Sequence, residues 1–135
     1  MVSISLNDLN KNTVYSKTLQ VIEDFCDEYE LSNDFGTIST ANQEIIDYLS
    51  NTFDDFCVEF MLDIDNQELS ITYYSFEPIF NSLLSFDADR NIIKNLCDDL
   101  ELSSDNKLVS LTFHVKPKFQ IKRDISIKRT QTIHI

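Results

Sequence analysis

Carboxylates dominate the groups in this sequence that could do chemistry: 23 Asp and Glu stand against two histidines and three cysteines in 135 residues. Two stretches place oxygens at alternate positions, as calcium loops do: Asp63, Asp65 and Gln67 in DIDNQE, and Asp87, Asp89 and Asn91 in DADRNI. Both lack the glycine of the sharp turn, with Glu68 and Ile92 standing there, and Tyr74 takes the place of the twelfth-position carboxylate in the first. No metal is expected at either. His114 and His134 have no partner at ligand spacing, and neither lies by a nucleophile in sequence, so no Ser-His-Asp or Cys-His arrangement can be argued. Cys26, Cys57 and Cys97 are far apart, form no CxxC pair and have apolar neighbours. They read as buried reduced thiols, with a metal or redox role as the alternative.

The single glycine, Gly36, constrains mechanism further. Average usage of about 7% would supply roughly nine. A GxxxxGK[ST] phosphate loop, a GxGxxG dinucleotide turn and a GxSxG nucleophile elbow each need at least two, so none of these is open to the chain. Gly36 falls in the connector LSNDFG between two predicted helices, where a C-terminal cap or tight turn takes φ > 0.

The elements that must position these groups follow from periodicity. Residues 2–6 alternate and predict a short strand. A helix is predicted from Asn12 or Thr13 to about Tyr29, with Tyr15, Leu19, Ile22, Phe25, Cys26 and Tyr29 as its apolar stripe. A second runs from about Thr37 to Phe53, with Ile38, Ala41, Ile45, Leu49 and Phe53 inward and Thr40 with Gln43 as a capping box. Phe56, Val58, Phe60, Leu62 and Ile64, then Leu69, Ile71 and Tyr73, alternate around Asp65-Asn66-Gln67 and predict a hairpin over 56–76. Pro78 opens a short helix, PIFNSLLSF, Asp89 caps another, RNIIKNLCDDL, and Lys107 to Val115 is the last strand. The order β-α-α-β-β-α-α-β predicts an α+β fold. It is a two-layer α/β sandwich, one domain over 1–115, whose mostly antiparallel mixed sheet is covered on one face by helices.

Charge divides the chain. Residues 1–115 carry five Lys/Arg against 22 Asp/Glu, and residues 116–135 carry six against one, within a total of −12. The acidic body would repel nucleic acid and anionic membrane. In the C-terminal segment Phe119, Ile121, Ile125, Ile127, Ile133 and Ile135 alternate with mostly polar or charged residues, a strand pattern. It either completes the domain's own sheet or acts as an arm that pairs with another chain. The start, MVSISLNDLNKN, lacks the basic and apolar parts of a signal peptide, and no apolar run exceeds four residues, so a cytoplasmic protein without a membrane span is expected.

The element order and three local patterns resemble the GHKL superfamily of ATP-binding domains, and within it the bacterial anti-sigma-factor serine kinases, over nearly all of residues 1–115. Asp47 and Asn51 stand four apart on the second helix, as the family's acidic base and magnesium-binding Asn do; Glu44 with Tyr48 is the competing register. Ser75-Phe76-Glu77-Pro78-Ile79-Phe80 corresponds to the family's Asp-x-Gly-x-x-Phe, with Ser75 at the adenine-reading Asp and Glu77 at the Gly. Asn91 to Leu100 matches the helix after the family's glycine-rich loop, with the glycines gone, and Asp87 and Asp89 are opposed there by Arg90 alone. Two carboxylates beside a triphosphate are repulsive.

The resemblance implies a degenerate member: a non-catalytic regulatory or protein-binding domain that has lost nucleotide binding, with no cofactor. The implied partner is a sigma factor, an antagonist-like protein or another regulator, and a homodimer is a second assembly. Lys118, Lys122, Arg123, Lys128 and Arg129 are the candidate charged contacts, with Phe119, Ile121, Ile125 and Ile127 for strand pairing. The alternative is a working Mg-ATP-dependent serine kinase with Asp47 as base, Asn51 on magnesium, and Ser75 and Arg90 at the nucleotide. A further alternative is an acidic decoy or immunity-type protein that neutralises a basic partner.

Overall fold

The computed structural model describes residues 1–31, 33–50, 56–78, 80 and 87–116. Its elements are β1 (Val2–Leu9), α1 (Val14–Glu28), α2 (Phe35–Ser50), β2 (Phe56–Asp63), β3 (Glu68–Ser75), α3 (Asp87–Leu96), β4 (Asp99–Leu102) and β5 (Leu108–His114). The five strands form one open sheet in the order β1-β2-β3-β5-β4, and every neighbouring pair is antiparallel. The fold is therefore the expected α+β two-layer sandwich.

Alternation in the strands decides which face the helices cover. Phe56, Val58, Phe60 and Leu62 of β2 lie in register with Leu69, Ile71, Tyr73 and Ser75 of β3, and Val109, Leu111 and Phe113 of β5 continue the same face. All of these are buried. Ile22 and Phe25 of α1, with Ile38, Ala41, Ile45 and Leu49 of α2, close the core over them, and the Phe25 ring lies 6.4 Å from that of Phe60. Burying one such large side chain contributes about 1.5–3 kcal/mol. On the two edge strands Val2, Ile4 and Leu6 of β1 and Leu100 and Leu102 of β4 share this face but are only half-buried.

The helix stripes differ from expectation where polar residues go inward. In α1 Val14, Thr18, Val21, Ile22, Phe25 and Cys26 are buried, whereas Tyr15 is exposed. Thr13 is the N-cap as expected, but the first turn is organised by Asn10, whose carbonyl accepts from the N–H groups of Thr13 and Val14 and whose side chain accepts from Asn12 N–H. α1 ends in a left-handed residue, Glu30 (φ 58°), and Leu31 N–H donates back to the Cys26 carbonyl at 2.8 Å, a Schellman-type stop with Leu31 buried behind it.

Gly36 is thus not the cap or tight turn that the sequence predicted. It sits in the first turn of α2 with φ outside the positive region, and the helix begins two residues early because Asp34 already accepts from Ile38 N–H. Thr40 is accordingly inside α2, its hydroxyl donating to the Gly36 carbonyl at 2.7 Å instead of capping.

The predicted helix over 90–100 also needs correction. α3 stops at Leu96, and Asp99–Leu102 forms β4, paired with β5 so that Leu100 faces Leu111 and Leu102 faces Val109. Asp-Leu-Glu-Leu alternates with period two, and Asp98 N–H donates to the Thr112 carbonyl to start the ladder. The short predicted helix after Pro78 lies outside the described residues except for Phe80, which is helical, fully buried and donates its N–H to the Asn106 carbonyl.

Candidate protein-binding face

Of the residues singled out for a nucleotide site, the structure describes Asp47, Ser75 and Glu77. Asp47 is exposed on α2, in the helical layer. Ser75 closes β3 in the other layer and is buried, its N–H donating to the Lys107 carbonyl at 2.9 Å. Its hydroxyl oxygen accepts the N–H of Glu77 at 3.2 Å, so the side chain in the position of the adenine reader is engaged in a turn. Glu77 is exposed beside it. Asn51 and the partner candidates Lys118, Phe119, Ile121, Lys122, Arg123, Ile125, Ile127, Lys128 and Arg129 lie outside the described residues, as does the side chain of Arg90 on α3. The second calcium-like stretch, from Asp87, is helix, not a loop.

Asp63, of the first such stretch, turns its carboxylate onto Asn66, accepting from the backbone N–H at 3.1 Å and from Nδ2 at 2.7 Å. These bonds hold the Asp63 carboxyl below its ordinary value, the backbone bond contributing most. No cluster of three or more His, Cys, Asp or Glu side chains able to hold a metal ion occurs among the described residues, and no helix there is long and apolar enough to cross a membrane.

Among the described residues, the helices pack on one face of the sheet and leave the other without a covering element. Because the strand period is two, the residues between the buried set point away from the helices. They are mostly small hydroxyls and acids: Ser3 and Ser5 on β1, Glu59 on β2, Ser70 and Thr72 on β3, Ser110 and Thr112 on β5. Thr72 and Ser110 share a hydrogen bond of 3.1 Å across the two central strands, and Ser5 Oγ donates to Glu59 Oε2 at 3.4 Å.

Cys57, Met61 and Leu108 interrupt this polar phase, as do two exposed aromatic side chains. Tyr74 is 38% exposed and Phe76, one residue past the strand, is 74% exposed. Tyr74 pairs in register with Cys57 on one side and Leu108 on the other. Partial burial, then the Glu59 carboxylate and a hydrogen bond to it, push the Tyr74 phenol up from its ordinary value. The phenol therefore stays protonated. The signal for this pair was legible: with Leu69, Ile71 and Tyr73 inward, positions 74 and 76 fall on the outward phase, where aromatics have no core to serve.

A second feature that periodicity hides is a buried polar chain. Tyr73 Oη donates to Asn42 Oδ1 at 2.7 Å, Asn42 Nδ2 donates to Thr18 Oγ1 at 3.0 Å, and Thr18 Oγ1 donates to the Val14 carbonyl at 2.7 Å. The three side chains are at most 1% exposed and tie β3, α2 and α1 together. Burial pushes the Tyr73 phenol far up, so it serves as a neutral donor and not as an acid or base.

Of the three thiols expected to be buried, Cys26 is buried, whereas Cys57 and Cys97 are half-exposed. Burial, with Asp34 and Asp27 nearby, raises Cys26 to about 11, and burial followed by Asp98 and Asp99 raises Cys97. A recess of about 360 Å³ beside Cys26 is lined by Glu23, Asp27 and Phe35, and its two carboxylates would oppose a phosphate. Neither a protein family nor a curated protein matches this chain.

Proposed function

We propose that this domain is a non-catalytic, cytoplasmic protein-binding module with a regulatory role, of the anti-sigma-kinase-like type, that has given up nucleotide binding. The observation that carries the reading is the exposed Tyr74 and Phe76 pair on a sheet face whose other side takes α1, α2 and α3. Rigid aromatic side chains provide large contact area at low entropic cost, and Tyr is enriched among the residues that dominate binding energy. Glu59 and Glu77 rim the pair, so the fitting partner is a protein surface with apolar anchors and a basic surround. Sigma factors, their antagonists or other regulators are the partner class that the resemblance supplies. The use of the Ser75 hydroxyl within its own turn supports the loss of an adenine reader.

The test compares full-length bait with a Tyr74→Ala/Phe76→Ala variant in quantitative capture from the source cell, alongside a thermal-shift titration with Mg-ATP. Loss of specific captured proteins by the double variant, with no melting shift in millimolar Mg-ATP, is the expected result. Equal capture by both baits would remove the aromatic face from consideration. A site at 1,000 times its dissociation constant contributes about 4 kcal/mol, so a rise of several degrees with Mg-ATP would return the kinase reading.

A further inference from the structure

We propose that the domain forms a two-fold dimer edge to edge through β1, with Val2 to Leu6 of one copy antiparallel to Val2 to Leu6 of the second and Ile4 on the axis. The inference rests neither on the aromatic pair nor on the resemblance. It rests on which side chains the β1 edge carries and on how their order repeats when the strand is reversed.

β1 is the outermost strand on its side of the sheet and, among the described residues, pairs with β2 alone. An outer strand presents a row of unpaired N–H and C=O groups, which monomeric proteins blunt with charge, proline or a bulge. Residues 2–7, VSISLN, contain no charged side chain and no proline, in a chain of net charge −12. The irregularity comes later. Between Leu6 and Leu9 β1 takes three steps while β2 takes two, from Val58 to Phe56, and Asp8 within that gap is left-handed (φ 55°). This bulge limits the regular edge to the stretch from Val2 to Leu6. Val2, Ile4 and Leu6 are half-buried, whereas the residues that they pair with, Leu62, Phe60 and Val58, are at most 1% exposed. The outer flank of this apolar row is what a neighbouring strand buries.

The order of side chains selects a second copy as that neighbour. VSISL reads apolar-Ser-apolar-Ser-apolar in both directions. A two-fold axis perpendicular to the sheet at Ile4 sets Val2 against Leu6, Ser3 against Ser5 and Ile4 against its own equivalent, with both helical layers on the same side. Apolar side chains then meet on the helix side and hydroxyls on the other, the kinds of cross-strand pair that stabilise sheets. The β4 edge cannot do this. Asp99 and Glu101 alternate there with Leu100 and Leu102, so any antiparallel self-pairing that brings the leucines together sets carboxylate against carboxylate. Each copy uses its β1 edge once, so the assembly closes at two and does not propagate. Tyr74 of both copies lies on the same side of the joined sheet, which offers a partner of that side two equivalent surfaces.

Sedimentation equilibrium of the full chain, with hydrogen exchange read at several protein concentrations, tests the pairing. The mass should rise with concentration from that of one chain towards that of two, and amides within 2–6 should slow as it does, while those of β3 and β5 stay constant. Ser3→Lys/Ser5→Lys sets lysine against lysine twice and should weaken the dimer at least about tenfold, with unchanged far-UV circular dichroism. Ser3→Asp/Ser5→Lys sets unlike charges together in the same register and should restore it; Ser5 pairs with Glu59 on β2, so the fold accommodates a lysine there. Tyr74→Ala/Phe76→Ala should leave the dimer intact, and its loss in that variant would overturn the proposal by moving the contact to the aromatic pair. A chain that stays monomeric at millimolar concentration would overturn it, as would a dimer indifferent to Ser3→Lys/Ser5→Lys. Protection of 2–6 that persists on dilution to the monomer would put another segment of the same chain on the edge and overturn it too. Failure of Ser3→Asp/Ser5→Lys to restore association would refute the antiparallel register about Ile4.

Discussion

Removing one hydroxyl from the buried chain that joins Thr18, Asn42 and Tyr73 should cost more than its single hydrogen bond contributes. In Tyr73→Phe the donor at 2.7 Å from Asn42 Oδ1 disappears, and that oxygen is left in a side chain only 1% exposed. Stranding a buried acceptor costs about 1–3 kcal/mol. In a domain of this size that lowers Tm by about 4 °C per kcal/mol, or roughly 4–12 °C. Urea titration followed by far-UV circular dichroism should show the midpoint falling with an unchanged slope. The decisive measurement repeats the substitution in an Asn42→Leu background. There the Oδ1 acceptor is gone and the phenol itself is the stranded group, so Tyr73→Phe should be neutral or stabilising, giving a coupling of about 1–3 kcal/mol. Equal costs of Tyr73→Phe in both backgrounds would refute the argument that the three side chains act as one satisfied unit.

Gly36→Ala should stabilise the domain by about 0.4–1 kcal/mol, because the position is helical with φ outside the positive region and an added Cβ meets nothing within 4 Å. A lower urea midpoint would contradict the placement of Gly36 inside α2. Maleimide labelling of the native protein at pH 8 should modify the half-exposed Cys57 well before Cys26, whose thiol is buried and raised to about 11; mass mapping that finds Cys26 first would be the contrary result. Asp63 and Asp105 are both held below the ordinary 3.8, Asp63 by the Asn66 bonds and Asp105 first by Ser103 Oγ at 2.6 Å and then by Lys107 N–H at 3.1 Å. Their folded values are the lower ones, so their contribution is present above the unfolded value and disappears as pH falls through the depressed one. Tm measured from pH 7 down to 2 should drop below about pH 4, and more shallowly in Asp63→Asn/Asp105→Asn; identical acid limbs would show that these turns are not responsible.

The strands were legible because their inward residues are strongly apolar and their outward ones small or charged, so Phe56 to Ile64 and Leu69 to Tyr73 announce both element and face. α1 was legible as a helix but rotated as a face. Hydropathy favoured Tyr15 and Leu19, while the core takes Thr18, whose hydroxyl has Val14 and Asn42 to bond across a tertiary contact that no local pattern encodes. β4 was hidden because Leu96, Cys97 and Leu100 also satisfy a helical spacing, and only pairing with β5 decides between the two periods. Gly36 misled because left-handed stops favour glycine, yet Glu30 supplies the conformation. The aromatic face was present in the letters YYSF, but it becomes a candidate only once the described helices are seen to pack on the opposite side of the sheet.

The antiparallel partner of β1 lies far along the chain, and this has a kinetic meaning. The β2–β3 hairpin closes over residues 64–67, whereas β1 meets β2 only after residues 10–55, including both helices of the α1–α2 pair, have been gathered in. Chain-closure entropy makes the longer loop about 2 kcal/mol more costly. β1 is thus placed to join the sheet late and to leave it early, as the least protected cooperative unit of the central sheet. A β1 that detaches would bare the long, alternating edge of β2, so the docking of an eight-residue N-terminal strand guards the domain against pairing with other chains.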